Sequence, residues 1–241
     1  MQFSKDYQRI IKNYRILSWV EKFIVWTRFQ IVPIKEMVSN IPHNGKILDL
    51  GCGFGVFSYY IAFNHPNLSV IGLDPSGQRI ERAKNTIFIP DNLKFYQGYL
   101  ADFNESNFDL ILMVDIICYL TEEQQIALIK NTYEKTKENG ILIIKTMDKG
   151  HRFRYILMMS ITKMITLFSI FSDFLPNKIS AKIMNVFGQR KVQPHFYFSS
   201  EFKNLLEDAG WEVQINNTEP IIFPDIIYFC KKSLQSRSSI A

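Results

Sequence analysis

From residue 47 onward, short apolar runs alternate with stretches patterned as helices. The runs "KILDLG", "SVIGLD", "LKFYQG", "FDLILMVD" and "ILIIKTM" are aliphatic and bounded by turn residues, while "FSYYIAFNH", "SGQRIERAKNTI" and "TEEQQIALIKNTYEKTKENG" lie between them. Parallel strands need crossover connections, and a helix in each crossover covers one sheet face before the next strand begins. The pattern predicts an α/β fold, Rossmann-like and doubly wound, with a mostly parallel seven-stranded sheet and helical additions. Thr121 before Glu122 and Glu123 reads as a helix cap, and Asn139-Gly140 as that helix's end just before a strand. The tail adds a helix, "SSEFKNLLEDAG", and then "WEVQINN" and "DIIYFCKK", which alternate like a closing strand pair.

Two segments break the alternation. Residues 1–45 read as one or two helices interrupted by Pro33, and 149–198 intervene between a strand and the tail helix. The expected organisation is a helical cap over 1–45, a core over 46–148, a helical lid inserted over 149–198, and a closing helix and strand pair over 199–232.

Charge sharpens that division. Residues 1–46 hold eight Lys/Arg against three acids, and 149–191 hold eight against one, whereas 47–148 hold eight against thirteen. The two additions are therefore cationic and flank an acidic core, which favours anionic partners at the additions. Around Trp19, Phe23 and Trp26, spaced as on one helix face, stand Lys12, Arg15, Lys22 and Arg28. In "FRYILMMSITKMITLFSIFSDFLP" a narrow polar stripe, Ser160, Lys163, Thr166, Ser169 and Asp173, interrupts an otherwise apolar surface. Aromatics interleaved with cations suit a helix lying in a membrane interface. Lys163 argues against a membrane span. The same segments also suit a lid lined with apolar side chains. Nucleic acid is disfavoured, because these aromatics sit among aliphatic residues on helices rather than on an exposed sheet. Cys52, Cys118 and Cys230 match neither a disulfide framework nor a metal-ligand spacing, and the first ten residues place charges where a secretory leader needs an apolar run. A cytoplasmic protein, peripheral on the inner membrane face where it meets lipid, is the expectation.

The chemistry begins at "ILDLGCGFG", residues 47–55. A glycine turn between strand and helix lets a ligand approach the backbone closely. The dinucleotide fingerprint fails in both registers, because Val56 and Ser58 stand where its third glycine belongs. What remains is an acid, Asp49, two residues before the first glycine. A carboxylate there repels pyrophosphate and suits an ammonium. The next strand ends in "LDPS", placing Asp74 where a carboxylate accepts both hydroxyls of a ribose. An ammonium and a ribose without a phosphate describe S-adenosylmethionine (SAM).

Residues 45–148 resemble the class I SAM-dependent methyltransferases in "ILDLGCGFG", in "VIGLDPSGQRIERAK" and in the strands from "FDLILMVD" to "ILIIKTMD". The resemblance implies that Asp49 and the backbone of Gly51, Cys52 and Gly53 face the methionine moiety of SAM. It implies that Asp74, followed by Pro75, meets the ribose, and that Tyr99 and Leu100 border the adenine. Where the family carries an acid near the adenine amino group, this chain has Tyr99, which leaves the contact to Asp102 or to stacking by Tyr99. "VDII" after the fourth strand is unlike the Asn/Asp-Pro-Pro-aromatic motif of enzymes that methylate amino groups of adenine, cytosine or glutamine.

Candidates for proton transfer are Asp115, Tyr119, Asp148, His151 and His195. Asp115 is more readily a cofactor contact, and His195, just before the tail helix, is the preferred catalytic histidine, with His151 second. The expected function is SAM-dependent methyl transfer to a small apolar acceptor such as a lipid, isoprenoid, polyketide or fatty-acyl compound. A catalytically silent SAM-binding or membrane-associated protein and an RNA methyltransferase are the alternatives. The acceptor atom and the oligomeric state stay open, and no metal is expected.

Overall fold

The computed structural model describes residues 2–15, 21–22, 25–26, 29, 32–39, 41–149, 197–217 and 225–233. Helix α1 (Gln2–Asn13) and the short α2 (Ile34–Val38) precede β1 (Gly45–Leu50). Then follow α3 (Val56–Asn64), β2 (Leu68–Asp74), α4 (Gly77–Lys84), β3 (Leu93–Gln97), β4 (Phe108–Val114), α5 (Glu122–Lys135) and β5 (Thr136–Met147). Helix α6 (Ser199–Asp208) leads into β6 (Trp211–Asn217) and β7 (Asp225–Lys232), and 3-10 turns occupy Leu100–Asp102 and Ile117–Tyr119.

The strands form one seven-stranded sheet in the order β3-β2-β1-β4-β5-β7-β6. β1 pairs in parallel with β2 and with β4, β2 with β3, and β4 with β5; β7 runs antiparallel to β5 and to β6. This is the doubly wound, mostly parallel sheet that the alternation predicted, closed by the expected strand pair.

Successive residues of a strand face opposite sides, so a strand buried on both faces feeds two cores. Ile47, Val70, Leu110 and Ile143 pack on one side with α3, α4 and the N-terminal helices. Leu48, Ile71, Ile111 and Leu142 pack on the other with Ile129 of α5 and with Phe202 and Leu206 of α6. Helix α3 is buried from Val56 to Ala62, which explains why "VFSYYIA" shows no polar stripe.

Local signals match local structure in most places. Thr121 caps α5 reciprocally: its hydroxyl accepts from Gln124 N, and Gln124 Oε1 accepts from Thr121 N at 3.0 Å. Pro33 opens α2 rather than merely interrupting, since its carbonyl accepts from Met37 N at 3.1 Å. One boundary differs. Helix α5 stops at Lys135 instead of running to Asn139-Gly140, and β5 already begins at Thr136, opposite Phe108. The pairing then slips, so that Leu110 meets Ile141, and the bulged residues between hold Asn139 at φ 62°. Asn139-Gly140 thus makes an irregularity at the start of the strand, with the helix already ended by Thr136 bonding back to Thr132.

Candidate functional site

All five parallel strands end at the same edge, and the chemistry-bearing residues collect there. β1 delivers Asp49, β2 ends in Asp74, Asp115 follows β4, and Asp148 follows β5. Tyr99 and Leu100 follow β3.

The glycine turn is built by β2. Gly51 N and Cys52 N both donate to Leu73 O, at 2.7 and 3.2 Å. Gly53 N donates to Asp74 Oδ2 at 2.9 Å, and Ser76 N to Asp74 Oδ1 at 2.8 Å. Three successive N–H groups that could cradle a phosphate are therefore already used inside the fold. The expectation that the turn faces a ligand narrows accordingly: its N–H donors are committed, and it can offer carboxylates and close approach. Close approach is available at Gly53, whose φ is +57° and where an added Cβ would meet nothing within 4 Å. At Gly51, with φ +74°, an added Cβ would run into Ile116 Cγ2. The two glycines thus serve different ends, one leaving space for a ligand and the other admitting the segment after β4.

Two buried carboxylates dominate the electrostatics. Asp49 Oδ2 accepts from Ser58 Oγ at 2.5 Å. Burial pushes its carboxyl up to about 6, the Asp74 charge adds to this, and hydrogen bonds from the Ser58 hydroxyl and backbone pull the other way. Asp74 has Arg79 Nη1 at 4.0 Å from Oδ2. Cys52 sits between the acids with its thiol raised well above the ordinary range, chiefly by burial, which makes it packing rather than a nucleophile. All three cysteines are buried thiols. This donor set fits SAM: two neighbouring carboxylates suit a cationic amino-acid end, and each Asp74 oxygen, with one lone pair given to a backbone N–H, keeps another for a hydroxyl.

Beyond the end of β4 stands a pair that sequence reading only half found. Asp115 adopts φ 54°, a left-handed conformation that aspartate tolerates better than most residues. It is tied twice to one residue of β5: Asp115 N donates to Lys145 O at 3.0 Å, and Lys145 Nζ lies 2.7 Å from Asp115 Oδ1. The Lys145 side chain is 3% exposed and that of Asp115 24%. Lys145 was missed, although a lone cation inside the apolar run "ILIIKTM" is a usable signal, because a buried lysine needs a partner.

Among the other candidates, Leu100 is buried and Tyr99 exposed, Pro75 and Asp102 are exposed, and Tyr119 and Asp148 are half-buried. His151 and His195, and the apolar stretch 153–176, lie outside the described residues, as do Trp19 and Phe23. The ends of the inserted segment do meet: Lys149 N donates to Tyr197 O at 3.0 Å, and Lys149 Nζ lies 5.3 Å from the Phe198 ring centroid. The 150–196 segment therefore leaves and rejoins the fold at one place, beside the end of β5.

A second missed residue lies far from the motif. The Tyr14 hydroxyl donates to Phe54 O, within the glycine turn, at 2.5 Å.

The methyltransferase-domain family model matches residues 47–140. Over those residues the chain is similar to a methyltransferase domain. The chain is 30% identical over 145 residues to a ubiquinone biosynthesis O-methyltransferase of Rickettsia prowazekii, covering 55% of this chain and 55% of that one. A carboxy-S-adenosyl-L-methionine synthase of Alteromonas mediterranea is 24% identical over 116 residues, covering 46% of this chain and 48% of that one. The chain spans about half the length of these curated relatives. In fold, the magnesium protoporphyrin IX methyltransferase of Synechocystis PCC 6803, solved with bound SAH, superposes with a TM-score of 0.59 at 18% identity. That superposition covers 95% of this chain and 94% of the other, so the likeness extends beyond the methyltransferase domain's central strands. Among the described residues, no helix is long and apolar enough to cross a membrane.

Proposed function

We propose that this protein is a SAM-dependent methyltransferase acting on a small, apolar acceptor. The observation that carries the cofactor half is the Asp74 carboxylate, fixed by Gly53 N and Ser76 N at the end of β2, next to a glycine with open space where its side chain would be. Asp74 holds the ribose hydroxyls, Asp49 supplies negative charge toward the ammonium, and Leu100 with Tyr99 borders the adenine. Gly51, Cys52 and Gly53 shape the turn, and Pro75 follows the ribose acid. Bound SAM would supply a methyl group already activated by its sulfonium. The protein's work is then chiefly alignment and exclusion of water, and alignment alone is worth roughly 7 to 11 kcal/mol in well-oriented reactions. Lys145 fixes Asp115 as a held negative charge, which favours a cofactor-binding role for Asp115 over proton abstraction. His195 and His151 are the residues proposed to hold or move a proton from the acceptor.

The apolar acceptor is supported by the Met-, Ile- and Phe-rich composition of 153–176 and by the single place at which 150–196 leaves and rejoins the fold. It is also in keeping with similarity to proteins named for ubiquinone biosynthesis and magnesium protoporphyrin, whose acceptors are apolar. In this reading the insert covers the acceptor, and the cationic additions bring the protein to an anionic membrane face.

Formation of S-adenosylhomocysteine, measured with purified full-length protein over a panel of quinone precursors, porphyrins, fatty acids and polyketide phenols, tests the proposal. Turnover on at least one apolar member, reduced at least tenfold by His195→Ala, is expected. Tight SAM binding with no turnover on any member would instead favour a silent SAM-binding protein, and turnover only on RNA would replace the acceptor class.

A further inference from the structure

We propose that the exposed face of α1 and the loop after α4 form one docking surface for an anionic lipid bilayer. The inference rests on the membrane side of the function above, gives it named residues, and makes no use of the cofactor site.

Helix α1 is amphipathic in charge rather than merely polar. Lys5, Arg9 and Lys12 fall at i, i+4 and i+7, and all are exposed. The single acid of α1, Asp6, is buried off this row. The Arg9 guanidinium lies 4.0 Å over the Phe63 ring, which holds its charge at the surface. Arg15 extends the row beyond the helix, donating from Nε to Thr86 O at 2.9 Å. That contact brings the row to residues 87–89.

There the chain exposes three consecutive apolar residues: Ile87 is 65% exposed, Phe88 56% and Ile89 36%. These are not side chains of a slack loop. Buried Asn13 clamps the backbone from three directions: its carbonyl accepts from Ile87 N at 2.6 Å, its Oδ1 from Phe88 N at 3.0 Å, and its Nδ2 donates to Phe88 O at 2.8 Å. With the main chain anchored inward, the side chains are held outward. Scattered exposed apolar residues need no explanation, but a contiguous clamped group at the end of a cationic row does. Exposed Glu81 and Asp91 border the loop and are matched by exposed Lys84 and Lys94, so the excess charge belongs to the α1 row.

Cations in a row with a projecting apolar tip match a charged bilayer surface, where lysine and arginine meet anionic headgroups and the tip enters the headgroup–acyl boundary. A single-stranded nucleic acid uses the cations equally well, but of the three projecting side chains only Phe88 offers a base a stacking face. The isoleucines on either side of it therefore favour lipid.

The test is cosedimentation of the full chain with vesicles of phosphatidylcholine containing phosphatidylglycerol, and of phosphatidylcholine alone, at several salt concentrations. Binding to the anionic vesicles only, weakening as salt rises, is expected. Phe88→Ser keeps the backbone clamp and should lower the vesicle partition about tenfold, from lost apolar burial. Lys5→Gln and Lys12→Gln should each lower it about fivefold and flatten the salt dependence. SAM titration of the same variants should match wild type, which separates failure of this surface from failure of the catalytic reading. Absence of anionic-vesicle binding, or wild-type binding in Phe88→Ser and the lysine variants, would overturn the proposal. So would an RNA affinity lost in the lysine variants but retained in Phe88→Ser without any vesicle binding, or a dimer in sedimentation that Phe88→Ser dissolves.

Discussion

Tyr14 and Phe54, forty residues apart, are joined where the Tyr14 hydroxyl donates to the Phe54 carbonyl at 2.5 Å. Burial raises the tyrosine's pKa well above its ordinary value, so the hydroxyl keeps its proton for this bond at all moderate pH. The N-terminal segment is thereby tied to the glycine turn. Tyr14→Phe leaves the ring packing on Tyr59 in place and removes only the bond. Thermal and denaturant unfolding should show a loss of about 1 to 2 kcal/mol. SAM affinity should fall in the same variant, because the turn loses its tether. Unchanged affinity would show that the segment does not influence the turn.

The Asp49 pKa predicts how stability varies with pH. Its value in the folded protein, about 6, lies above the ordinary carboxylate value of 3.8, so the folded state binds the proton more tightly. The protonated form's stabilising contribution is fully present below about pH 4, is lost as pH rises to about 6, and changes no further above that; the span is roughly 3 kcal/mol at 1.4 kcal/mol per unit. Asp49→Asn keeps an acceptor for Ser58 and cannot ionise. Without cofactor, the variant's melting temperature should gain on wild type as pH rises from 4 to 6 and hold a constant lead above. Its SAM affinity should be lower at pH 7, and the wild-type affinity should rise through pH 6 while the variant's does not. Parallel stability curves for the two proteins would contradict the buried, proton-sharing environment.

Lys145 and Asp115 differ in depth, which predicts an order. Removing one partner of a buried pair leaves the other uncompensated, and the deeper one costs more. Asp115→Asn takes the carboxylate from beside the nearly inaccessible ammonium of Lys145, whereas Lys145→Met takes the cation from beside a carboxylate that reaches solvent. Asparagine tolerates the positive φ of Asp115, so backbone strain does not confuse the comparison. Denaturant titration should place Asp115→Asn about 1 kcal/mol or more below Lys145→Met. The reverse order would mean that Asp115, not Lys145, is the more desolvated charge.

Gly51 and Gly53 both have positive φ, yet only one has room for a side chain. Alanine at either position costs about 1 kcal/mol for the left-handed backbone. Gly51→Ala must also displace Ile116, and should melt several degrees below Gly53→Ala. Gly53→Ala should instead be the well-folded variant that loses SAM affinity, because its methyl enters open space beside Asp74. Melting curves and titrations on the two proteins check the contrast, and equal behaviour in both would remove the distinction.

Much of the core was legible because its signals are local. Alternation of apolar runs and helical stretches located the parallel strands, Thr121 located the start of α5, Asp49 could be placed by its distance from the glycines, and Asp74 by its position at the end of the next strand. What escaped depends on contacts between segments. Tyr14 follows a polar helix and shows nothing in sequence of its bond to Phe54. Lys145 became meaningful only when β4 and β5 paired and brought it to Asp115. The end of α5 was misplaced because Asn139-Gly140 carries the usual marks of a helix end, while the strand pairing with Phe108 captured Thr136 first. Nothing in the sequence of the apolar group Ile87–Ile89 shows its exposure, which follows from the clamp by Asn13.

The central claim is that the edge formed by Asp49, the glycine turn and Asp74 holds SAM. Calorimetric titration of SAM, S-adenosylhomocysteine and NADH into the wild-type protein and Asp74→Asn tests it directly. Asparagine keeps the size of the side chain but turns an amide NH₂ toward one of the two backbone N–H groups that Asp74 now accepts from. The account predicts that wild type binds SAM and S-adenosylhomocysteine, ignores NADH, and that Asp74→Asn, still folded by its melting curve, binds SAM at least tenfold more weakly. Binding of NADH in place of SAM, or undiminished SAM binding by folded Asp74→Asn, would contradict it.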